Sequence, residues 1–272
     1  MPGELIDLHV HVFPPRMFEA VWQYFETRGW SVHHEHAADI ARTLTAHGVS
    51  RAVTLHYPHK PGVAGDLNRF AEDVAQVHPI FLPFAAVHVE DADLRAEVDR
   101  VIASPHLHGF KFQPLVQAFD VNDPRLDYLW GACCEAGFPV LAHLGTAPMS
   151  CPWVGVAHLD RLLHRFPTLR LCVAHLGAFE SDAFLARMDR FPDLFLDTAM
   201  IAVRTDLFDT TFRGDADALA RHADRIAFGS DWPDVPYPYQ EALDSLARLP
   251  LPPSSLADLR SGSARRFLRL EG

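Results

Sequence analysis

Leu5-Ile6-Asp7-Leu8-His9-Val10-His11-Val12 is the first apolar run of the chain, and it carries two histidines spaced two residues apart. On an extended strand that spacing sends both imidazoles to one face. Seven further short apolar runs follow, at Arg51–His56, Ile80–His88, Gly109–Gln113, Val140–His143, Leu169–His175, Leu194–Thr198 and Ile226–Gly229. Their largely continuous apolar character predicts strands buried on both faces, as in a parallel sheet. Amphipathic segments alternate with them, at Ala37–His47, Asp66–His78, Asp91–Ala103, Pro124–Ala136, Val156–Phe166, Ser181–Arg190, Asp215–Ala223 and Tyr239–Arg248. Asp123 before Pro124 reads as an N-cap with proline at the first helical position, and Gly48 and Gly137 stand where a helix end favours a left-handed residue. Eight such alternations predict an α/β fold of parallel strands closed into a (β/α)8 barrel, and 272 residues suit a single domain over 1–272.

The segment 14–36 interrupts the pattern. It is read as a long loop after the first strand, rich in aromatic residues (Phe18, Trp22, Tyr24, Phe25 and Trp30). Those side chains form either a lid or substrate wall, or a packed cover over the barrel mouth or against a partner subunit.

Composition narrows the function classes. Half of the residues are hydrophobic (49%) and the net charge is −11, with no basic run longer than Arg265–Arg266. That balance argues against a nucleic-acid or anionic-membrane partner and leaves a small-molecule substrate. The four cysteines (Cys133, Cys134, Cys151, Cys172) show no zinc spacing and no convincing disulfide pair. With no basic leader ahead of the first strand and no membrane-length apolar run, a cytoplasmic protein is expected.

The placement of the 17 histidines is more telling than their number. His56 ends the second strand, His88 the third, His143 the fifth and His175 the sixth; Lys111 and Gln113 share a face of the fourth, and Asp231 follows the eighth in Phe228-Gly229-Ser230-Asp231-Trp232-Pro233. In a barrel, residues at the C-terminal strand ends converge on one pocket. Several imidazoles and a carboxylate buried without a cation would leave polar groups unpaired, each costing roughly 1–3 kcal/mol. A divalent ion removes that cost. His9, His11, His143 and Asp231 are therefore the expected metal ligands. His175 is expected in the pocket as ligand or acid/base, whereas His56 and His88 either line it or are satisfied core groups. His33, His34 and His36 are expected on a solvated loop.

At these residues the chain resembles the amidohydrolase superfamily, in the branch that includes aminocarboxymuconate-semialdehyde decarboxylase and pyrone-dicarboxylate lactonase. The resemblance runs through Ile6–His11, Gly109-Phe110-Lys111-Phe112, Gly137–His143, Phe166-Pro167, Val173-Ala174-His175-Leu176-Gly177, Leu196-Asp197-Thr198 and Phe228–Asp231. It implies a distorted TIM barrel with one metal held by His9, His11, His143 and Asp231, with His175 assisting the chemistry and Asp231 handling the protons of the attacking water. A usual Asn-Ala near the chain's end reads Ser263-Ala264 here. In two-metal members a lysine at the position of Lys111 is carboxylated and bridges a second ion; here Lys111 either does so, binds a substrate carboxylate, or neutralises the pocket.

The expected activity is hydrolysis of an amide, ester or lactone by water activated on Zn²⁺, with Asp231 and His175 catalytic. Lys111, Arg204 and His56 are the candidate substrate contacts, Arg204 being alternatively a surface ion-pair residue. A non-oxidative decarboxylase or hydratase on the same scaffold is the alternative. A metal-dependent nuclease is disfavoured by the acidic balance, and a barrel with a vestigial site by the complete set of ligands. A homodimer through the helices or the long loop would be ordinary.

Overall fold

The computed structural model describes residues 3–147, 150–206 and 209–270. Among the described residues, eight strands run parallel in two hydrogen-bonded groups. The first group orders β1 (Ile6–His11), β2 (Arg51–Leu55) and β3 (Phe81–Pro83); the second orders β4 (Phe110–Phe112), β5 (Val140–Ala142), β6 (Leu171–Val173), β7 (Leu194–Asp197) and β8 (Ile226–Ala227). Single bridges join the two groups at both seams. Ala85 N donates to Gly109 O at 2.8 Å and Lys111 N to Ala85 O at 2.7 Å, linking the end of β3 to β4. Leu8 N donates to Phe228 O at 2.9 Å and His11 N to Trp232 O at 2.6 Å, linking β1 to the segment after β8. The strands thus follow one another around a ring, as the alternation predicts.

The crossover helices are α2 (Ala37–Ala46), α3 (Ala64–Val77), α4 (Leu94–Ala103), α6 (Asp127–Ala136), α7 (Val156–Arg165), α8 (Ser181–Met188), α9 (Ala216–Arg221) and α10 (Tyr239–Ser245), with a short α5 (Pro114–Gln117) after β4. Punctuation behaves as read: Asp123 accepts from Arg125 N, and Gly48 and Gly137 adopt φ +78° and +59°.

Three features depart from the sequence reading. The segment 14–36 is not a plain loop, since α1 spans Pro15–Glu26 within it. Pro14 and Pro15 set its first turn, and Phe18 and Trp22, one turn apart, are buried and stacked at 5.3 Å. The high aromatic content masks an amphipathic period. His33 is only half-exposed rather than fully solvated: its ring stacks on Trp232 at 4.1 Å and its amide donates to Pro233 O.

The third departure is α11 (Ser263–Leu268), reached through a π-helical turn and absent from the expected series. It closes the barrel floor. Phe267 lies 5.3 Å from Phe195 and 6.2 Å from Phe84, in a buried cluster with Ile6, Leu8, Val53, Leu55, Leu141, Cys172, Ala227 and Ala264. Ser263, where the resemblance led to an asparagine, donates to Ala223 O at 3.1 Å. All four cysteines are free thiols. Among the described residues no helix is long and apolar enough to cross a membrane.

Candidate metal centre

The site is made by a parity switch in β1. Ile6 and Leu8 belong to the floor cluster, whereas Leu5, Val10 and Val12 pack outward. Strict alternation would then send His9 and His11 outward too. The β1–β2 register shifts between Asp7 and Val10. That irregularity re-aims the second half of the strand, as bulges beside functional sites do. Asp7 fastens it: one oxygen accepts from His9 N and Ser230 N, both at 3.0 Å, and the other from Tyr239 Oη at 2.8 Å. Burial nonetheless lifts the Asp7 acid to about 7 despite these donors. Gly229 allows the close approach of the chain after β8, because a Cβ there would lie 2.9 Å from His9 Cβ.

His9, His11 and Asp231 each offer a ligand atom, all within 4.8 Å of one another. Asp231 Oδ1 lies 3.1 Å from His9 Nε2 and 3.0 Å from His11 Nε2. Asp231 sits at φ +63° in a turn whose amide donates to His9 O. Burial works against its charge, but the two imidazoles it bridges hold its acid well below the usual range. Lys111, fully buried, brings Nζ to 3.5 Å from His9 Nε2. Burial lowers the Lys111 ammonium to about 8, and burial with the Lys111 charge lowers His9 to about 4.

Asp197, at the end of β7, has no role assigned from the sequence, yet it organises the site. Oδ2 accepts from His9 Nδ1 at 2.9 Å, which leaves the lone pair of His9 on Nε2, where a cation would bind. Oδ1 accepts from His175 N at 2.9 Å and Ala199 N at 3.0 Å. Burial opposes its charge, but His9 and these donors hold it down to about 2. The strand-end rule that singles out the histidines applies equally to Leu196-Asp197-Thr198.

His175 occupies the same chamber, 5.0 Å from His9 between ring centroids, in a run of positive φ covering His175, Leu176, Gly177 and Ala178. Nδ1 is fixed on Ala199 O at 3.0 Å. Such a run costs energy and is characteristic of a functional turn. His143 lies 4.7 Å from His175, but its nitrogens are engaged: Nε2 donates to Ala147 O at 2.8 Å and Nδ1 accepts from Gln113 Nε2 at 3.2 Å. It is beside the converging trio rather than part of it.

His56 is buried, and Nε2 donates to Asn68 Oδ1 at 2.8 Å. Asn68 Oδ1 also accepts from Ala86 N, so it cannot be the donor. His88 accepts from Glu90 N at 3.2 Å. Arg204 is exposed, its amide on Glu241 and its Nε on Thr211 at 3.1 Å, and these contacts do not bring it to the histidines.

The amidohydrolase family model matches residues 6–270, and the chain belongs to that family. Among solved structures it is similar to an uncharacterised TIM-barrel protein from Bordetella bronchiseptica (21% identity, TM-score 0.75, covering 98% of this chain and 99% of that one). It is also similar to 5-carboxyvanillate decarboxylase from Novosphingobium aromaticivorans, complexed with manganese and a nitrobenzoic acid (14%, 0.67, 99% and 97%). A third likeness is to a probable 2-pyrone-4,6-dicarboxylic acid hydrolase from Acinetobacter baumannii with citric acid bound (14%, 0.68, 98% and 100%). At these identities the likenesses establish the barrel fold. No curated protein matches the chain.

Proposed function

We propose that the chain is a metal-dependent hydrolase that opens an amide, ester or lactone of a small substrate with activated water. The observation that carries this reading is the convergence of His9, His11 and Asp231 within 4.8 Å. The donors fit a cation: ligands about 2.1 Å from a tetrahedral zinc lie roughly 3.4 Å apart, close to the 3.0 and 3.1 Å separating Asp231 from the two imidazoles. His9 keeps its lone pair on Nε2, where it faces Lys111 Nζ at 3.5 Å, and two ionised carboxylates outweigh the single lysine. His143 is the fourth candidate ligand, through a nitrogen now on Ala147 O or Gln113.

A divalent ion supplies Lewis acidity, polarising a carbonyl and making water acidic near neutral pH. The protein residues do the rest. Asp231 accepts the proton of the attacking water, and His175, on its strained turn, stabilises the developing oxyanion or returns a proton to the leaving group. Lys111 balances the buried charge beside His9 or pairs with a substrate carboxylate. A second ion bridged by a carboxylated Lys111 is the less economical arrangement, because the lysine already stands against His9.

A second reading, non-oxidative decarboxylation, is favoured by the likeness to 5-carboxyvanillate decarboxylase with its manganese. Metal analysis of the purified protein, with Zn²⁺ or Mn²⁺ restored to chelated samples, should be combined with a panel of lactones, amides and aromatic acids. Metal-dependent opening of a lactone or amide is the expected result. Release of carbon dioxide alone would move the chain to the lyases, and turnover unaffected by chelation would sink both readings.

A further inference from the structure

Three aspartates are buried around β1 and the turn after β8, and they differ in what they accept. Asp7 takes three hydrogen bonds and Asp197 takes three. Asp234 is 5% exposed, and its Oδ1, shielded from solvent, accepts none. Its main chain is held on both sides, with N donating to Asp231 O at 3.1 Å and O accepting from Trp30 Nε1 at 2.9 Å. Burial lifts this acid to about 7, with the nearby charge of His11 working the other way. A shielded carboxylate without a donor is costly unless it has a task.

His11 carries the complementary orphan. Nε2 faces Asp231 at 3.0 Å, while Nδ1 is shielded and has no partner. Its amide donates to Trp232 O and its Nε2 meets Asp231, whose carbonyl accepts from Asp234 N, so His11 lies against the turn that bears Asp234. An imidazole that gives its Nε2 lone pair to a cation keeps its proton on Nδ1, and that N–H needs an acceptor. His9 already has one in Asp197.

We propose that Asp234 is the positioning residue for His11, accepting its Nδ1 proton directly or through one water when a cation is bound. The inference rests on the metal-centre reading above. It makes the two histidines of β1 a matched pair, each backed by a carboxylate from a distant part of the chain. It also explains why the segment 30–36 is tied onto the 232–237 loop by Trp30, His33 and Glu35, since that fastening holds Asp234 in place.

The test is Zn²⁺ affinity, by competition with a chromogenic chelator, and the melting temperature of the metal-free protein, for wild type, Asp234→Asn, Asp234→Ala and Asp197→Asn. Asp234→Ala is expected to weaken Zn²⁺ binding about 10–100-fold. Asp234→Asn, still an acceptor but uncharged, should lose less. Asp197→Asn, which alters a contact already formed, should lose at least as much. The metal-free Asp234 variants should melt at or above wild type, because an unpartnered buried acid has been removed. Unchanged Zn²⁺ affinity in Asp234→Ala overturns the proposal, as does lowered metal-free stability or failure to fold in both Asp234 variants, which would make the residue structural. A wild type that binds no Zn²⁺ overturns the metal-centre reading itself.

Discussion

The two ends of the barrel are built from the same strands and obey opposite rules. At the floor, Phe84, Phe195 and Phe267 pack into a cluster of buried hydrophobic side chains, and each buried aromatic adds stability through the area it removes from water. At the mouth, Lys111, Asp197, Asp231 and the imidazoles occupy the next inward positions. Phe195 and Asp197 are two residues apart on β7, one at each end. Floor residues need only fit, whereas mouth residues need specific partners, and His11 Nδ1 and Asp234 Oδ1 still lack theirs. One end therefore stores stability, and the other holds charges that a cation would complete.

Substitutions put this contrast to the test. The largest effect is expected for Asp231→Asn. Asparagine tolerates the left-handed backbone at this position, so the fold should persist while turnover falls by about 10²–10⁴-fold. Steady-state kinetics with a melting curve checks both halves, and full activity would remove Asp231 from the chemistry. Phe267→Ala should do the reverse, costing about 3–5 kcal/mol of stability in denaturant titration while leaving activity per folded molecule intact. Activity lost without stability would mean the floor shapes the site.

The smallest effect belongs to neither end. On the outer helices, Arg187 donates to both oxygens of Asp160 at 3.0 and 2.8 Å. These hydrogen bonds hold the Asp160 carboxyl below its usual value. Because the folded value is the lower one, the contribution is present above the ordinary carboxylate range near 3.9 and fades as pH falls through the folded value. Asp160→Asn should cost about 0.5 kcal/mol at neutral pH, and the two melting curves should converge in strong acid. A difference that persisted there would assign the effect to packing.

The barrel and much of its mouth are legible in the order of residues, for a local reason. Strand and helix periods are written in neighbouring residues, and barrel geometry turns a strand-end position into a pocket position without further information. His9, His11 and Asp231 follow from that rule, as does the chamber that holds His175. Other features depend on contacts no local pattern encodes. The β1 bulge needs Asp7 to meet Ser230 and Tyr239, and α11 shows its purpose only against Phe84 and Phe195. Aromatic side chains disguise α1, and Arg204 looks available until its neighbours Thr211 and Glu241 are in place. Asp197 meets His9 across 188 residues of chain, and His11 meets Asp231 across 220. The linear chain settles which groups are able to bind a cation. The closed ring alone decides which of them share one space, because hydrogen bonds and ligand geometry act over ångströms in space and not along the chain.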